Sequence, residues 1–109
     1  MLYALLSLAI ITEVTATLLL KASHGWEKWH LGVGAIFFYA VAGLALSFVL
    51  KSMSVGLAYA IWSGVGIALI CIASVVFWQQ AFDTYALLGI VLIIVGTCLI
   101  TLKSGVVIQ

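Results

Sequence analysis

The sequence predicts an all-α integral membrane protein with four transmembrane helices per chain, at about residues 2–20, 31–50, 55–78 and 85–102, forming a single domain over 1–109. Three observations carry that prediction. Hydrophobic residues make up 67% of the 109 and charged residues only 6%, with a mean hydropathy of +1.42. The apolar residues fall in four continuous stretches, each near the roughly 20 residues that cross a bilayer as a helix. Short polar segments separate these stretches and hold every charge but one. A soluble domain is about 45–50% apolar and about a quarter charged, and a disordered chain needs low hydrophobicity; this composition excludes both. Four scattered lysines and no arginine make no basic patch, so no nucleic-acid partner is expected.

The first stretch, 2–20, lacks the basic start of a signal peptide, and three more spans follow it, so it reads as a span. The polar segment 21–30 closes it with Lys21, His24, Glu27, Lys28 and His30. The second stretch ends at Lys51, the third at the 79–83 segment with Asp83, and the fourth at Lys103. Strands of a membrane barrel would alternate over about 10 residues; these runs are continuous and twice as long. Trp26, Trp29, Trp78 and Tyr85 read as interfacial anchors, and Tyr3 also lies at a span edge. Cys71 and Cys98 lie inside spans without ligand neighbours and read as small apolar fillers. His24 and His30 read as solvated connection residues. No metal, cofactor or enzyme constellation is expected. The spans use nearly the whole chain, which places the function within the bilayer.

Orientation follows the lysines of short loops. Lys21 and Lys28 fall on one side of a four-span chain, and Lys51 and Lys103 on the other. Two against two predicts insertion in both orientations. Up and down copies would then pair as an antiparallel, dual-topology dimer of eight helices with a chamber between them, an arrangement akin to the inverted repeats of larger transporters.

The remaining charge, Glu13, lies midway along the first span. An ionised side chain there costs about 2.5–3.5 kcal/mol on insertion scales, and no lysine within a span offsets it. Its one-turn neighbours are Ala9, Ile10, Ala16 and Thr17. Intramembrane ionisable groups usually lie on a pathway, so Glu13 is read as a proton- and cation-binding site; a permanently neutral hydrogen-bond donor is the structural reading. In the third span, Tyr59 and Trp62 share a helix face with Ser63 and Gly66. Aromatic faces beside a carboxylate suit lipophilic or quaternary cations, and Tyr39 offers a third ring and a hydroxyl partner for Glu13. Plain packing of these aromatics stays open. Gly64 and Gly66 permit a hinge or a close helix approach. In the fourth span Gly89 and Gly96, seven apart, fit either a dimer contact or packing inside one subunit.

The segments Thr12-Glu13-Val14, with Lys21 following, and 58–67, with Tyr59, Trp62, Ser63, Gly64 and Gly66, closely resemble the small multidrug resistance family over essentially the full length. The resemblance implies an antiparallel homodimer in the bacterial inner membrane that exports cationic compounds in exchange for protons. It makes Glu13 of each subunit the shared proton and substrate site. It places Trp62, Tyr59 and Tyr39 in the binding chamber, with Tyr3, Ala9, Ile10, Thr17, Leu46 and Ser63 near it, and it fits Gly89 and Gly96 to a dimer contact. Guanidinium exporters of the family commonly carry tryptophan where this chain has Ala16, which favours the multidrug branch. Departures are Leu31 and Ser54, where many relatives have proline, and Ala81, where a basic residue is frequent. Lys51 and the ending Lys103-Ser104-Gly105 resemble polyamine-exporting members that pair unlike chains, so a paralogous partner stays open. The competing readings are a narrow guanidinium or polyamine exporter and an accessory or lipid-moving membrane subunit.

Overall fold

The computed structural model describes residues 2–103. Four helices follow in order: α1 (Leu2–Ala22), α2 (Trp29–Val49), α3 (Val55–Trp78) and α4 (Thr84–Lys103). Each is long and apolar enough to cross a membrane. An unbroken helix bonds its own backbone polar groups, which hydrocarbon would otherwise leave unsatisfied. The helix ends differ from the hydropathic edges by a few residues. Helix α1 runs on to Ala22, so Lys21 sits in its last turn, where a cation meets the negative end of the helix dipole. Helix α2 begins at Trp29, so His30, expected in the connection, lies in its first turn. Ser104 and Gly105 of the basic ending lie outside the described residues.

Local chemistry explains the ends. Ser54 caps α3, its side chain accepting from the Leu57 N–H at 3.2 Å. Gln79 closes α3 in the left-handed region at φ 53°, its N–H donating to the Val75 carbonyl at 3.1 Å, a left-handed stop that satisfies a terminal carbonyl. Asp83, expected as a merely solvated charge, takes the Ala86 N–H at 2.8 Å on its Oδ1 and caps α4. In the first connection His24, Gly25 and Trp26 all have positive φ, at 51°, 67° and 74°. Buried Ser23 fixes this turn by donating to the Leu20 carbonyl and accepting from the Trp26 N–H. The turn lays the Trp26 indole against Gly32, where an added Cβ would stand 2.6 Å from the ring. Trp26, expected as an interfacial anchor, therefore packs the turn against α2 with its ring half-exposed.

The chain forms two compact units that divide between Ser52 and Met53, each containing one helical hairpin. In the α1–α2 unit, Leu6, Ala9, Ile10, Thr12, Val14 and Ala16 are buried on α1, and Gly32, Ala35, Ala42, Ala45 and Val49 on α2. The α2 set is mostly small, as close helix approach in a bilayer requires, and Gly34 lies near the Leu19 side chain. In the α3–α4 unit the close approach is at Gly64: a Cβ there would stand 2.5 Å from Thr97 Oγ1. Thr97 Oγ1 lies within donating distance of the Ala60 carbonyl across the hairpin, at 3.1 Å, and of Ile93 on its own helix, at 2.9 Å.

Candidate functional site

The polar centre of the first hairpin is built from α1 and α2. Glu13 stands near the middle of α1 and is half-buried. Threonines flank it: Thr12 and Thr15 turn their hydroxyls back onto carbonyls of their own helix, the usual way a helix absorbs such groups. Thr17 does more. Its Oγ1 lies 2.9 Å from Glu13 Oε2, 3.1 Å from the Glu13 carbonyl oxygen and 2.8 Å from the Tyr39 hydroxyl of α2. Tyr39, expected as a hydroxyl partner of Glu13, thus reaches the carboxylate through Thr17. The i, i+4 spacing of Glu13 and Thr17 held the signal for this link; the direction and reach of the Tyr39 side chain did not show in the sequence.

The aromatic pair stands on α3. Tyr59 and Trp62 meet edge to face, with centroids 6.4 Å apart at 77°, a favoured ring geometry. Tyr59 is exposed, Trp62 half-buried, Ser63 exposed and Gly66 buried. Of the other residues, Tyr3 is exposed, Leu46 half-buried, and Ala9 and Ile10 are covered almost completely, at 0% and 2% exposure. Gly64 makes the close approach to Thr97 described above. Gly89 and Gly96 face open space: a Cβ added to either meets nothing within 4 Å.

The α3–α4 unit also has an apolar cleft of about 410 Å³ lined by Cys71, Val75, Phe82, Leu87 and Ile90 among others. It offers a cation no polar partner. Among the described residues no three His, Cys, Asp or Glu side chains gather as a metal-holding group, and Cys71 and Cys98 are free.

Comparison with known proteins adds to this geometry. The family model described as Small Multidrug Resistance protein matches residues 1–93. The Quaternary ammonium compound-resistance protein QacF of Klebsiella aerogenes is 40% identical over 93% of this chain and 92% of its own length. The Multidrug transporter EmrE of Escherichia coli strain K12 is 41% identical over 94% and 93%. The Nicotine metabolites export pump subunit NepA of Paenarthrobacter nicotinovorans is 35% identical over 94% and 89%. With its four apolar spans, the chain is a multi-pass protein of a bacterial inner membrane.

Proposed function

The chain belongs to the Small Multidrug Resistance family, and on that premise we propose that it is a proton-coupled antiporter exporting lipophilic and quaternary ammonium cations. The observation that carries the reading is Glu13, an acidic side chain midway along a membrane-crossing helix and tied at Oε2 to a chain of hydroxyls. A carboxylate charge at that depth costs about 2.5–3.5 kcal/mol or more on insertion scales, and either a proton or a cation offsets that cost. Proton and cargo are therefore alternatives at one group. Protons bind from the more acidic side and displace the cation; the next cation binds from the cytoplasm once the protons leave. Competition supplies the coupling, because each ligand is bound only where the other is absent.

Tyr59 and Trp62 supply ring faces for the cation, worth about 2 kcal/mol when desolvated. The names of two relatives, a quaternary ammonium resistance protein and a multidrug transporter, support this class of cargo. The working unit is two copies inserted in opposite directions. The even lysine balance supports this, as does α4, whose Gly89 and Gly96 leave room for an approaching helix. Alternating access follows from two copies that hold unlike conformations and exchange them. In proteoliposomes with an imposed pH gradient, the wild type should accumulate a quaternary ammonium cation and Glu13→Gln should not. Coupled uptake that survives in Glu13→Gln overturns the reading.

One observation favours a second reading, in which the partner is an unlike chain: a similar protein, NepA, is named as a pump subunit. Transport by the purified chain alone would exclude it; transport only on co-expression with a related chain would establish it.

A further inference from the structure

The hydroxyl of Thr17 has one proton and three oxygen neighbours: Glu13 Oε2 at 2.9 Å, the Glu13 carbonyl oxygen at 3.1 Å and the Tyr39 hydroxyl at 2.8 Å. A hydroxyl donates once and accepts up to twice, so the proton must choose, and the choice depends on the charge of Glu13. When Glu13 is ionised, its carboxylate is the strongest acceptor in reach, because a hydrogen bond to a charged oxygen is roughly twice as strong as one between neutral groups. Thr17 then donates to Oε2 and accepts from Tyr39. The two bonds run in one direction and polarise each other. When Glu13 is protonated, Oε2 loses that advantage. The Thr17 proton turns to the Glu13 carbonyl or to Tyr39, and the bond made by the Tyr39 phenol weakens or reverses.

We propose that Thr17 is a positioning residue whose hydroxyl carries the charge state of Glu13 across the first hairpin to the Tyr39 phenol. This deepens the reading of Glu13 as the proton and cation site and rests on it. Helix α2, which packs against α1, has two titratable side chains, His30 in its exposed first turn and Tyr39 at its centre. Tyr39 is the one in contact with the chain of hydroxyls. With Glu13 charged, Tyr39 is held towards α1 and its ring is fixed for a cation. With Glu13 neutral, the hold weakens or reverses direction. Proton binding thus loosens an aromatic residue on a second helix in addition to discharging the carboxylate.

The test needs no transport. Infrared difference spectra of the full-length protein, taken between alkaline and acidic pH, should carry a tyrosine C–O band. That band should vanish in Tyr39→Phe, in Glu13→Gln and in Thr17→Val, which keeps the shape of the side chain without its hydroxyl, and it should persist in Thr17→Ser. A band that survives Thr17→Val, or one lost in Thr17→Ser although that protein is folded, overturns the proposal. A binding cycle with tetraphenylphosphonium gives a second readout. Thr17→Val and Tyr39→Phe should each weaken binding about tenfold, the scale of one hydrogen bond to a charged group, and the double variant should be no weaker than about twofold beyond either, as for two residues in one network. Losses that multiply overturn the proposal. If the band behaves as stated while Glu13→Gln still couples uptake to protons, the transport reading fails and the link between Glu13 and Tyr39 stands.

Discussion

Helix α1 buries 33% of its spanning window and α2 28%, whereas α3 buries 17% and α4 none. The apolar character runs the other way: α4 is the most apolar of the four and α1 the least. In water this pairing would be unstable. In a bilayer it is the expected outcome, because lipid tails cover an apolar helix as well as another helix does. The first hairpin holds the Glu13–Thr17–Tyr39 chain of polar groups across its two helices. The second has little to hide. It is joined by the close approach at Gly64 and the bond from Thr97 to the Ala60 carbonyl, and it leaves Leu88, Val91, Leu92, Val95 and Leu99 exposed. The contrast separates a half that holds a connected set of polar side chains from a half whose last helix is almost wholly apolar and exposed.

That separation can be broken by adding bulk in the right places. The largest expected effect is on pairing. Gly96→Leu adds a side chain where nothing lies within 4 Å, so the hairpin itself should tolerate it. If α4 is where a second copy docks, cross-linked dimer in membranes should fall to background and transport with it. Undiminished cross-linking would place the dimer contact elsewhere.

The next effect is on the second hairpin. Gly64→Ala puts a Cβ 2.5–2.8 Å from Thr97, and such overpacking costs about 1–3 kcal/mol. Gly43→Ala on α2, where nothing lies within 4 Å, is the matching change in the first hairpin. It should be neutral or stabilising, since alanine favours a helix over glycine by about 1 kcal/mol. Titration with a denaturing detergent should lower the unfolding midpoint of the first variant and not of the second; equal midpoints would remove the claim that Gly64 is needed for close approach. The smallest effect is at the start of α4. Asp83→Ala removes the acceptor of the Ala86 N–H and should cost about 1 kcal/mol, read as earlier hydrogen exchange in the first turn of α4 with α1 unchanged.

Much of this was legible in the sequence because it depends on periods and totals. Four apolar runs of membrane-crossing length predicted four helices, and the helices observed differ from them by at most two residues at each end. Glu13 stands out because it is the one charge within a long apolar run of the sequence. The geometry around it was less legible. The family resemblance places Thr17 among several residues near a chamber, and nothing in the one-dimensional pattern ranks it above Thr12 or Thr15, which spend their hydroxyls on their own helix. In the sequence Gly64 permits either a hinge or a close approach, and only the position of Thr97 makes the approach concrete. The spacing of Gly89 and Gly96 fits packing inside the subunit as well as a dimer contact, and among the described residues a Cβ added to either meets nothing within 4 Å.

The sequence by itself determined what the bilayer demands: four continuous helices, polar breaks between them and one acid within the hydrocarbon. Those follow from composition and spacing, since every backbone polar group must be satisfied within its own segment. The tertiary structure decided which side chains meet. It brought Tyr39 of α2 within 2.8 Å of Thr17 on α1, and Thr97 of α4 against Gly64 on α3. Such meetings depend on how two helices rotate and approach each other, and between apolar helices in lipid that is set by shape and a few polar contacts, which a one-dimensional pattern does not contain.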